Sequence, residues 1–75
     1  MKKQINKPYD QVRAGQRLRE ARLEKGLTAK QAAKKVNSTE STLCSYEIGR
    51  RSVNDALKVE LANLYGKKVE EIFFK

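Results

Sequence analysis

No histidine occurs anywhere in the 75 residues, and cysteine occurs once. Histidine is the side chain best suited to proton transfer near neutral pH, and with cysteine it supplies most zinc and transition-metal ligands. Nine acids scattered along the chain do not replace them, so no catalytic constellation and no metal centre is expected, and an enzyme is the least favoured class. A lone Cys44 cannot close an intramolecular disulfide, a staple that a secreted domain this small ordinarily needs, so a reducing compartment is expected. Long apolar runs are lacking too. After Met1-Lys2-Lys3 the chain continues Gln4-Ile5-Asn6-Lys7-Pro8, which is no signal-peptide core, and nothing approaches the length of a membrane span. These readings point to a cytoplasmic protein with no membrane partner, no cofactor and no evident small-molecule ligand.

Basic charge is what the chain has in excess. Seventeen Lys and Arg against nine Asp and Glu give 17 − 9 = +8. Up to Asn37 there are eleven bases and three acids, and from Ser38 onward six of each, so the N-terminal half carries the whole surplus. On so small a body this favours a polyanionic partner met by one basic face. An acidic membrane surface is the weaker candidate, because no stretch combines bulky aromatics with a lysine-rich polar face.

Period-two alternation is absent over any useful length, whereas helix signals recur. Residues 1–8 hold three lysines and the only proline without apolar periodicity, and read as a basic flexible arm; residues 9–75 read as one domain. A first helix is expected from Asp10, a capping carboxylate, to about Lys25, stopped by Gly26, with Ala14, Leu18 and Ala21 inward and Arg17, Arg19, Glu20 and Glu24 on wet faces. Thr28-Ala29-Lys30-Gln31 has the capping-box form and opens a short second helix ending near Val36 and Asn37. A third helix spans Glu40 to about Ile48 before Gly49, with Leu43 and Tyr46 on one side and Ser41, Cys44, Ser45 and Ile48 on the other. Asn54 caps a fourth helix carrying Leu57, Leu61 and Leu64 and closed by Gly66. Val69, Ile72 and Phe73 suggest a last helical turn or two. Phe73 and Phe74 are adjacent and cannot face the same way, so one of them is expected at the surface.

From Ala14 to Phe73 the ordered set Gly15-Gln16-Arg17-Leu18-Arg19-Glu20-Ala21-Arg22, Gly26-Leu27-Thr28, Ala32-Ala33, Ser41-Thr42-Leu43, Tyr46-Glu47-Ile48-Gly49-Arg50, and Leu61-Ala62 through Gly66 to Ile72-Phe73 resembles the Cro/CI-type, or xenobiotic response element, helix-turn-helix family. The resemblance implies an all-α fold, a compact five-helix lambda-repressor-like domain whose third helix lies in the major groove of double-stranded DNA. It places base-reading and groove-lining sites on Glu40, Ser41, Cys44 and Ser45. Phosphate-contacting sites fall at the start of the second helix (Thr28 and Lys30), on Thr39 and on the loop residues Arg50 and Arg51. It also implies a structural ion pair between Arg22 and Glu47. The function it implies is a transcriptional regulator, expected as a repressor and a homodimer on a palindromic operator.

Three positions depart from the family pattern. Ala29 stands where many relatives have glutamine, leaving phosphate contact at the second helix to backbone N–H groups and Lys30. Glu40 stands where glutamine, arginine or lysine is favoured; its carboxylate can accept from a cytosine amino group or merely favour the helix N-terminus. Val53 replaces a frequent proline and is expected to cost only loop rigidity. Cys44 on the reading face reads first as a small side chain that permits close approach, and second as an oxidation-sensitive one. Small uncharged readers leave room for specificity through DNA shape. The alternative reading is a protein-interaction module on the same fold, an antitoxin or anti-repressor partner with weak DNA binding, which Glu40 favours and the basic N-terminal half disfavours.

Overall fold

The computed structural model describes residues 10–74, so the arm expected over residues 1–8 lies outside the described residues. Five helices follow one another: α1 Gln11–Glu24, α2 Ala29–Lys35, α3 Glu40–Glu47, α4 Asp55–Tyr65 and α5 Val69–Phe73, with no strand among the described residues. The all-α expectation holds.

Helices α1 to α4 start where a local side chain satisfies their free N–H groups. Asp10 Oδ1 accepts from the N–H groups of Val12 and Arg13, both at 3.1 Å. Thr28 and Gln31 form the reciprocal box, at 3.1 Å from Gln31 N–H to the hydroxyl and 2.9 Å from Thr28 N–H to the amide oxygen. Asn54 Oδ1 accepts from Leu57 N–H at 2.8 Å, and Glu71 reaches back to accept from Lys68 N–H at 2.8 Å. The turn between α2 and α3 needs one left-handed residue, and Asn37 supplies it at φ 57° while Ser38 N–H donates to Ala33 O at 2.8 Å.

Helix α1, the longest, is the hub, packing against α3, α4 and α5, while α2 packs on α3 and α4 on α5. Its stripe of Ala14, Leu18 and Ala21 is buried as expected. The adjacent Ala32 and Ala33 of α2 are buried too, and their small size lets α3 lie close. Two details go beyond the sequence reading. Val53, expected to cost only loop rigidity, also buries its apolar side chain in the core from the segment joining α3 to α4. In α4 only Leu61 of the expected leucine stripe is fully buried; Ala62 and Tyr65 share the core with it, and Leu57 and Leu64 flank it half-buried. Of the two terminal phenylalanines, Phe73 is buried and Phe74 is exposed.

Candidate nucleic-acid interface

Helix α3 is two-faced, and the division follows from its spacing. Leu43 and Tyr46 point into the core and anchor it. Glu40, Ser41 and Cys44 are exposed and Ser45 is half-buried, so positions i, i+1, i+4 and i+5 form one open strip. Ser45 Oγ donates back to Ser41 O at 3.1 Å, which leaves its lone pairs as acceptors toward the outside. Glu40 sits in the first turn, where a carboxylate complements the helix dipole. The helix reads Glu-Ser-Thr-Leu-Cys-Ser-Tyr-Glu, so it carries no cation of its own.

Cations and N–H donors flank the strip. Thr28 and Gln31 satisfy each other, and the next amides, Ala29 and Lys30, have no intrahelical acceptor at the start of α2. Lys30 is exposed; Lys34 and Lys35 lie in the last turn of α2, where they complement the negative end of the dipole. Thr39 caps α3, its hydroxyl accepting from Thr42 N–H at 3.1 Å and donating to Thr42 Oγ1 at 2.9 Å. Arg50 and Arg51 are exposed on the loop after α3, and the Arg51 guanidinium lies 6.0 Å from the centroid of the Tyr46 ring.

Arg22 and Glu47 fix how α3 docks. Arg22 Nε lies 2.7 Å from Glu47 Oε2 and Nη2 3.1 Å from Oε1, a two-pronged contact between side chains that are 9% and 5% exposed. A third donor, Nη1, reaches the carbonyl of Leu27 at 2.8 Å, so one guanidinium ties α1, the turn before α2 and the end of α3 together. The hydrogen bonds to Glu47 raise the Arg22 pKa above its already high ordinary value, outweighing burial, which acts the other way. The Tyr65 hydroxyl is buried in the field of this pair and finds no hydrogen-bond partner among the described residues. Burial first, and then the Glu47 charge, push its pKa up to about 12, with Arg22 opposing.

Apart from the Arg22–Glu47 pair, the contacts between α1 and the end of α3 carry no local signal in the sequence. A Cβ on Gly15 would stand 2.5 Å from the carbonyl oxygens of both Tyr46 and Glu47, so only glycine lets the two helices cross this closely. Gln11 Nε2 donates to Gly49 O at 2.8 Å. Gln16 and Arg19 of α1 line a groove together with Cys44 of α3 and Ile48, which caps its C-terminus, and this sets a cation beside the uncharged part of the strip. The signal available in the sequence was the i, i+3 spacing of Arg19 and Arg22 on one helix.

Two short helices joined by a tight turn, the second closed on one face and open on the other, define a helix-turn-helix unit. The family model described as a helix-turn-helix domain matches residues 13–72. Among solved structures, the restriction-modification controller protein C.AhdI from Aeromonas hydrophila is 34% identical with a TM-score of 0.79, the match covering 85% of this chain and 93% of that one. The DNA-binding domain of BldD is 31% identical with a TM-score of 0.73, covering 84% and 92%. The clp gene regulator ClgR from C. glutamicum is 26% identical with a TM-score of 0.77, covering 83% and 80%. A comparison with curated protein sequences gives no significant match. The chain belongs to the helix-turn-helix family, and its resemblance to the Cro/CI branch of that family is borne out.

Proposed function

We propose that this protein is a sequence-specific double-stranded DNA-binding regulator of transcription, acting as a repressor, that seats α3 in the major groove and binds as a homodimer on a palindromic operator. The observation that carries the reading is the two-faced α3: a core-anchored side at Leu43 and Tyr46 and an open strip at Glu40, Ser41, Cys44 and Ser45. Glu40 accepts from a cytosine amino group and the serine hydroxyls meet base edges of either kind. Phosphates are met by the N–H groups opening α2, by Lys30 and Thr28, by Thr39, whose hydroxyl would exchange its bond to Thr42 Oγ1 for a phosphate oxygen while still accepting the Thr42 N–H, and by Arg50 and Arg51. A single strip of four short side chains reads few base pairs, so a second copy related by a two-fold axis is needed for specificity. Occupying an operator that overlaps a promoter represses by blocking access. The names of the similar structures, a controller protein, a DNA-binding domain and a gene regulator, accord with this reading.

Selection of bound sites from random duplex DNA tests the proposal. The expected result is an enriched palindrome whose half-sites lie about one helical turn apart. If no duplex sequence is enriched, the reading fails and the protein-interaction alternative takes its place.

A further inference from the structure

We propose that Gln11, at the start of α1 and far from α3 in sequence, is a positioning residue for the DNA contact made by Arg50. The proposal rests on the reading of Arg50 as a phosphate contact. Gln11 Nε2 donates to the carbonyl of Gly49 at 2.8 Å across 38 positions of chain. The N–H of the same peptide unit belongs to Arg50, and it donates to Ser45 O at 2.9 Å. The Gly49–Arg50 peptide is therefore held at both poles, by α1 on the carbonyl side and by α3 on the amide side. That plane sets where the Arg50 Cα sits and which way its exposed side chain leaves the loop.

The surroundings indicate a fitted contact. Gly49 has φ 79°, and a Cβ there would lie 2.8 Å from Val12 Cα, so the loop rests directly on the first turn of α1. Helix α1 does not need the Gln11 amide in order to start, because Asp10 already accepts from Val12 and Arg13. The amide is half-buried and spent on the loop. An arginine with many rotamers binds a phosphate more tightly when its anchor is fixed beforehand, since less freedom is surrendered on binding.

The test measures duplex affinity against salt concentration for the full chain, wild type and Gln11→Met, which keeps the stem and drops the donor. Gln11→Ala serves as a second variant, and each is also made in an Arg50→Ala background; thermal melts establish that every protein is folded. In the wild-type background, loss of the amide should weaken binding about two- to tenfold, the equivalent of one net hydrogen bond, and flatten the salt dependence. In the Arg50→Ala background the same substitution should change neither. Unaltered binding by both Gln11 variants, or a weakening that persists without Arg50, overturns the proposal. If Arg50→Ala itself leaves affinity and salt dependence unchanged, the phosphate role of Arg50 fails first and the role of Gln11 falls with it, a result distinct from the other two.

Discussion

Truncating Arg22 to alanine would strand the Glu47 carboxylate at 7% exposure with its nearest cation gone. Breaking one side of such a buried pair costs about 3 to 5 kcal/mol, so Arg22→Ala should lower the urea midpoint steeply, whereas Arg22→Met with Glu47→Leu should recover most of the loss. On that outcome the pair contributes less to net stability than to the angle at which α3 is presented. Tyr65 next to it gives a pH signature. Its folded pKa of about 12 lies above the ordinary 10, so between those values the unfolded chain releases the phenolic proton and the folded one keeps it. Stability is then whole below pH 10 and falls as pH rises toward 12. In Tyr65→Phe this part of the alkaline decline should vanish while stability at pH 7 stays within about 1 kcal/mol of wild type, because the deleted hydroxyl has no hydrogen-bond partner among the described residues. Melting temperature against pH for both proteins checks the outcome.

Between elements, the crossing of α1 over the end of α3 is the most constrained contact. Helix propensity alone says that Gly15→Ala should stabilise α1 by about 1 kcal/mol. The added methyl would meet two backbone oxygens at 2.5 Å, and backbone has no rotamer into which it can retreat. Separation of the helices then dominates, and a net loss of about 1 to 3 kcal/mol in urea unfolding is expected. The same contrast explains what the sequence disclosed. The caps at Asp10, Thr28 and Asn54 were legible because a cap is decided within three residues. The open strip of α3 was legible because its spacing and the anchors Leu43 and Tyr46 lie on one helix. Val53 and Tyr65 entered the core, and Gln11 found Gly49, through contacts between distant segments that no local pattern encodes. Gly15 belongs to the motif, but the reason for it lies on the facing helix.

On the scale of the whole molecule, the proposed function assigns affinity to the net charge of +8 and sequence preference to the strip on α3, whose only charge is the Glu40 carboxylate. Neutralising one phosphate-binding cation should reduce the slope of log affinity against log salt by about 0.9. Arg50→Ala is therefore expected to flatten that slope by about one and to weaken all duplexes alike, leaving the preferred sequence unchanged. Titration of a selected and a scrambled duplex over a range of salt measures both effects, and a shift in preferred sequence would move Arg50 to the base-reading group. The stature of the strip also bears on hydration. Ser41, Cys44 and Ser45 are short side chains, which leave room for ordered water beside their contacts with base edges. An operator complex built on them would be a wet one, in which water molecules held by serine hydroxyls carry part of the message from the bases to the protein.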